Sequence, residues 1–275
     1  MSEDSRHDVE TVFARVEVTR RRVIKTGLAT GFALAVQPIA QATISTDDAG
    51  LTAGEVKIKA ADIEIPAYRA MPSKGGPFPF ALVVQEIFGV NHHIRSVCDR
   101  LAKEGYVAIA PSIFDRTSPN FQCGYTPDEI AEARKFVASP DWDAMLRDTQ
   151  AAIDAVQSVG PVGIIGFCLG GSIAFVAATR LKGLKAAVGY YGGAVVRFAD
   201  ETPKVPTQLH FGENDSGIPL SDVDTIRAKR PEVEIFVYDG AEHGFNCDQR
   251  ASYNKASADI ARERSLAFLA KYLVA

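Results

Sequence analysis

Between about residue 55 and residue 272, short continuous apolar runs alternate with helically spaced apolar stripes. The continuous apolar run Phe80–Gln85 predicts a strand covered on both faces, since a strand wetted on one face alternates apolar with polar; Tyr106–Ala110 predicts the next buried strand, Val162–Gly166 a short apolar strand, and Ala186–Tyr190, Thr207–Phe211 and Val233–Tyr238 further strands. Glu55–Ala60 and Asp62–Ala70 do alternate, with little chain between them, and predict an antiparallel hairpin at a sheet edge. Over Ile94–Glu104, the apolar residues Ile94, Val97, Cys98 and Leu101 share one helical face. Thr126-Pro127-Asp128-Glu129 has a cap residue, proline in the first turn and glutamate three residues on, the signature of a helix start. Further helices are expected over Trp142 to about Ser158, Ser172–Arg180 and about Tyr253 to Tyr272. This alternation predicts an α/β fold with a mostly parallel central sheet and helices on both faces. Pro72–Pro79 (PSKGGPFP) reads as a surface loop, so residues 43–275 form one domain.

The first forty-two residues break this pattern. Thr19–Lys25 reads TRRRVIK, and an uncharged stretch follows from Thr26 to Thr46. Its most apolar part, Gly27–Val36, is too short to cross a hydrocarbon core of about 30 Å as a helix. Pro38 and then Ala40-Gln41-Ala42 follow, a small-x-small cleavage pattern. Residues 1–42 are therefore expected to be a twin-arginine export signal, with the export machinery as a partner, only transient membrane contact and a periplasmic product. A retained anchor, a solvated basic extension and a cytoplasmic location are the alternatives.

The 30 basic and 34 acidic residues are too balanced to suggest a nucleic-acid partner. There is no CxxC and no HExxH, so no metal is expected. His92-His93 is the only histidine cluster, and it reads as a surface pair because adjacent helical residues point about 100° apart. Of the four cysteines, Cys98 falls on the apolar face of its helix and reads as a small buried hydrophobe. Cys123 and Cys247 lie in loop-like sequence and are a candidate disulfide in an exported chain.

The fourth, Cys168, sits in Gly166-Phe167-Cys168-Leu169-Gly170-Gly171, between a buried strand and an apolar helix. That is the setting of a G-x-nucleophile-x-G elbow, in which a tight strand-to-helix turn pushes the nucleophile into the open. Glycines on either side remove side chains that would collide there. The turn also places the Leu169 N–H at a helix N-terminus, where the dipole favours negative charge and lowers a thiol's pKa. A buried core cysteine in a Gly-rich turn is the plainer alternative. Nucleotide binding is disfavoured, since neither GxGxxG nor a P-loop lysine is present.

In α/β-hydrolases the chain order is nucleophile, acid, base. Asp215 follows the strand Thr207–Phe211, at the carboxyl end where sites on open sheets lie, and His243 follows the next strand in a Gly-flanked loop. Each alone reads as a turn-former or a surface residue. Their joint occurrence, in order and at strand ends, points to Cys168 as nucleophile, His243 as its acid–base partner and Asp215 as the group that orients the imidazole.

The chain resembles the dienelactone hydrolase (carboxymethylenebutenolidase) family from roughly Gly54 onward. The resemblance rests on Gln85–Asn91 (QEIFGVN), Gly105–Ala108 (GYVA), the cysteine elbow and Ala241–Phe245 (AEHGF). It implies a resting neutral thiol directed away from the histidine, and a role for Glu86, which takes the thiol proton once substrate displaces it. It also implies an oxyanion hole made by the Leu169 and Ile87 backbone N–H groups, a lactone or ester substrate opened through a thioester, and no cofactor. Family members hold a substrate carboxylate with arginines. The position three past His243 is Asn246, so Arg250 is the candidate there, and Arg116 or Arg134 is the candidate after the Tyr106–Ala110 strand. Tyr125 and Phe121 are candidate pocket residues. A non-catalytic binding protein on the same fold, and a thiol-redox protein using Cys168, are the competing readings.

Overall fold

A computed structural model describes residues 36–38 and 49–274. Its core is one nine-stranded sheet in the order β1-β2-β3-β5-β4-β6-β7-β8-β9. The strands are β1 (Val36–Pro38), β2 (Leu51–Lys59), β3 (Glu64–Pro72), β4 (Phe80–Val84), β5 (Val107–Pro111), β6 (Val162–Phe167), β7 (Leu184–Tyr190), β8 (Thr207–Gly212) and β9 (Glu234–Tyr238). The pairs from β5 through β9 are parallel, whereas β1, β2 and β3 add antiparallel. β4, β5, β6 and β8 are buried along their whole length, as their unbroken apolar runs require. The β2–β3 hairpin forms as predicted, but it is not the sheet edge, because Val36–Pro38 pairs outside β2. Those three residues belong to the expected export segment; the rest of residues 1–42 lies outside the described residues.

The helices are α1 (His92–Lys103), α2 (Pro127–Ala138), α3 (Trp142–Asp154), α4 (Leu169–Arg180), α5 (Leu220–Lys229) and α6 (Lys255–Leu273). Thr126 and Glu129 form the capping box at the start of α2. α4 is buried on nearly every residue and begins immediately after Cys168, three residues earlier than its apolar pattern suggests. From β4 the chain crosses first to β5 on one side and later to β6 on the other. The strand order therefore reverses at β4, and the crevice beyond the ends of β4 and β6 is where an open sheet offers a binding site. Glu86 follows β4 and Cys168 follows β6, so both stand at that point.

Candidate active site

The elbow is built by close backbone approach. A Cβ at Gly166 would lie 1.9 Å from the Gly170 carbonyl oxygen, one at Gly170 2.2 Å from the Val84 oxygen, and one at Gly171 2.3 Å from the Tyr190 oxygen. Only glycine fits at these positions, which ties α4 against β4 and β7. The turn leaves Cys168 at φ 54°, a left-handed conformation that costs a non-glycine residue about 1–3 kcal/mol. Hydrogen bonds from Cys168 N to Tyr190 O (3.0 Å) and from Gly170 N to Gln85 O (3.1 Å) hold it there. Leu169 opens α4, so its N–H has no acceptor within the helix.

Cys168 Sγ lies 3.1 Å from His243 Nε2, and His243 Nδ1 lies 2.7 Å from Asp215 Oδ2. Asp215 is buried, and its other oxygen accepts from Gly217 N at 2.9 Å, which fixes the carboxylate in its turn. Burial alone would lower the His243 pKa. The charge on the adjacent sulfur and the hydrogen bonds with Asp215 and Cys168 outweigh it and raise the pKa to about 10. Three side chains from three loops thus form one sulfur–imidazole–carboxylate chain. The arrangement differs from the resemblance in one respect: the sulfur faces the histidine instead of turning away. Glu86, the other candidate proton acceptor, has no hydrogen bond from any described side chain.

Glu86 is buried, and its nearest opposite charge is Arg250 Nη1 at 3.6 Å. Arg250 lies across the rings of Phe88 and Tyr125, with its guanidinium carbon 5.8 and 5.9 Å from their centroids. The loop carrying Tyr125 is fastened over the β4 end. Asn91 Nδ2 donates to Cys123 O and to Tyr125 Oη, each at 3.1 Å, and Gly89 bridges to Gln122. Tyr125 and Arg250 are therefore brought beside Glu86.

Several expected residues are not. The Arg116 guanidinium is taken up by Asp62 and Asp148, with five contacts of 2.7–2.9 Å, and braces α3 against the β2–β3 turn. These contacts engage four of the five guanidinium N–H groups and tie Arg116 to two carboxylates instead of the Glu86 pocket. Arg134 is exposed on α2, and the Phe121 ring packs on Phe136 at 4.4 Å. Cys123 and Cys247 are both free thiols: Cys123 Sγ points to Glu129 O and Cys247 Sγ donates to Tyr125 Oη at 3.3 Å. Cys98 is buried as expected, and burial pushes its thiol well above the ordinary range.

His93 overturns the reading of His92-His93 as a surface pair. His92 is exposed, but His93 is fully buried, because residue 93 turns inward onto the Phe167 ring while residue 92 turns out. One donor atom each from His93, Glu86 and Cys247 lie within 4.8 Å of one another, a set able to ligate a metal. Sequence spacing had no means of showing it, since the three residues come from three separate segments.

The sequence profile of the dienelactone hydrolase family matches residues 65–273. The chain belongs to the dienelactone hydrolase family. A Methylorubrum extorquens protein named "Putative carboxymethylenebutenolidase" is 41% identical over 98% of each chain. The Pseudomonas putida protein named carboxymethylenebutenolidase is 33% identical, over 72% of this chain and 88% of its own. A Klebsiella pneumoniae crystal structure titled as a "Putative Dienelactone Hydrolase" superposes with a TM-score of 0.73 at 37% identity, over 81% of this chain and 99% of that one. The fold is accordingly the α/β-hydrolase fold, and the chain is a hydrolase of the dienelactone hydrolase type.

Proposed function

We propose that this dienelactone hydrolase family member opens lactones or activated esters with Cys168 as nucleophile, through a thioester. The observation that carries this reading is the 3.1 Å contact between Cys168 Sγ and His243 Nε2, continued at 2.7 Å to Asp215. The thiol proton already rests on His243 Nε2 beside the charged sulfur, and that sulfur attacks the substrate carbonyl carbon. The oxyanion accepts hydrogen bonds from the Leu169 and Ile87 backbone N–H groups, each worth about 3 kcal/mol in the transition state. The C–O bond breaks, and the leaving enolate or alkoxide takes the proton from His243. Water, giving its proton to His243, then cleaves the thioester, and the sulfur leaves as the thiolate beside the protonated imidazole.

Arg250 is proposed to hold an anionic group of the substrate, since it is partly exposed and, among the described residues, its close counter-charge is Glu86 alone. Binding an anion there releases Glu86 from Arg250. Glu86 is then free to take the thiol proton if the sulfur turns toward it, the route that the family resemblance implies. Tyr125 supplies an aromatic wall beside Arg250. Export by the twin-arginine machinery to the periplasm is proposed on Arg20-Arg21-Arg22 and the uncharged run after it. Cell fractionation with Arg21→Lys/Arg22→Lys tests this, and retention of wild type in the cytoplasm contradicts it.

For the chemistry, the test is Cys168→Ala assayed on aryl esters and enol-lactones. The proposal expects a loss of at least about a thousandfold with an unchanged circular dichroism spectrum. Turnover near wild type overturns it.

A further inference from the structure

Behind the Cys168–His243 pair lies a second group of reactive side chains. Glu86, His93 and Cys247 are all buried, and the ligand atoms they offer lie within 4.8 Å of one another. Neither Glu86 oxygen and neither His93 nitrogen has a hydrogen-bond partner. Their nearest charged neighbours stand off, Arg250 at 3.6 Å from Glu86 and Asp248 at 3.7 Å from His93. Leaving a buried polar group unpaired costs about 1–3 kcal/mol, and more when it is charged, so a Glu86 oxygen and a His93 nitrogen that meet at Cys247 without a hydrogen bond favour an occupant between them.

We propose that Glu86, His93 and Cys247 form a binding site for a thiophilic divalent cation, with Zn²⁺ as the best-matched ion. A thiolate, an imidazole and a carboxylate are the donors zinc takes, at about 2.3, 2.0–2.1 and 2.0–2.2 Å. Around one ion such donors stand roughly 3.2–3.8 Å apart by tetrahedral geometry, so the group closes by about 1 Å to bind. The Cys247 thiol loses its proton on binding, and His93 binds as the neutral imidazole. The thiolate and the Glu86 carboxylate then cancel the dication's charge inside the protein. Tyr125 Oη, 3.3 Å from Cys247 Sγ, stands where a fourth oxygen or a bound water completes the shell. The cation replaces Arg250 as the counter-charge of Glu86, so occupancy frees the guanidinium. That consequence rests on the substrate role proposed for Arg250; the site itself does not.

The test uses full-length Cys168→Ala, because Cys168 and His243 together would also attract the ion. The reduced, chelator-treated protein is titrated with Co²⁺ and followed by its near-ultraviolet thiolate-to-cobalt charge-transfer band. The expected result is one equivalent of Co²⁺, displaced by Zn²⁺. Cys247→Ser on this background abolishes the band, and His93→Gln weakens cobalt binding at least tenfold. Arg250→Gln, which removes the competing cation, strengthens it. Circular dichroism and melting confirm that the variants fold, and if Cys247→Ser does not, His93→Gln and Glu86→Gln serve as the ligand deletions. Absence of a band in Cys168→Ala overturns the proposal, as does a band unchanged by removal of Cys247, His93 or Glu86.

Discussion

A Cβ on Gly244 would lie 2.2 Å from Arg250 Nη1, and the backbone at Gly244 is left-handed, at φ 80°. The glycine after His243 therefore does two things: it turns the chain out of the histidine loop and leaves room for the guanidinium that faces Glu86. Gly244→Ala is expected to cost about 1–3 kcal/mol of backbone strain and to push Arg250 aside. Melting temperature should fall, and KM for a carboxylate-bearing ester should rise more than KM for its neutral analogue. An equal effect on both substrates would detach Arg250 from anion binding.

Arg116 provides the complementary prediction. Asp148 is buried, and Arg116 supplies its charge partner. Arg116→Leu leaves that carboxylate unpaired, at a cost of about 3–5 kcal/mol. The expected outcome is a large drop in denaturant midpoint with KM unchanged in the folded fraction. Arg116→Leu combined with Asp148→Leu should recover most of the loss. A selective rise in KM without destabilisation would return Arg116 to the substrate pocket.

His243 makes stability depend on pH in a defined direction. Against an ordinary value near 6.5, the imidazole in the folded chain is raised to about 10, so the native state holds a proton that the unfolded chain releases above neutrality. Its contribution is complete below about pH 6.5 and is lost as pH rises toward 10. The stability advantage of wild type over His243→Gln, measured by chemical denaturation, should therefore narrow steadily from pH 6.5 to pH 10. An advantage that grows over this range would contradict the assigned charge state.

The elbow glycines should tolerate nothing larger. Gly170→Ala sets a methyl 2.2 Å from the Val84 carbonyl oxygen, backbone against backbone with no flexible side chain to yield. Loss of soluble folded protein is the expected outcome, read by expression and circular dichroism. A stable, active Gly170→Ala protein would mean the turn is looser than described.

The parallel strands and the Cys168 elbow were legible because their signals are local. Unbroken runs such as Phe80–Val84 suit only a strand covered on both faces, and the glycines of the elbow sit within five residues of the sulfur. Asp215 and His243 could be picked out because strand ends fix where such groups fall. α5 escaped notice: its ten residues bury only Val223 and Ile226, too few to make a stripe. The inward turn of His93 escaped as well, since its fate depends on Phe167, Cys247 and Asp248 far along the chain. Arg116 and Arg250 look alike in sequence, and only the carboxylates that reach them separate a brace held by two aspartates from a guanidinium that faces Glu86.

In the mechanism proposed for Cys168, the substrate acyl group passes through a thioester on its sulfur. Rapid quenching of wild type during turnover of a slowly deacylated aryl ester, followed by peptide mass spectrometry, measures this directly. The expected result is one acyl group per chain, on the peptide bearing Cys168, removable by hydroxylamine and absent from Cys168→Ser when tested as a thioester. An acyl group on another residue, or full turnover with Cys168 unmodified throughout, would contradict it.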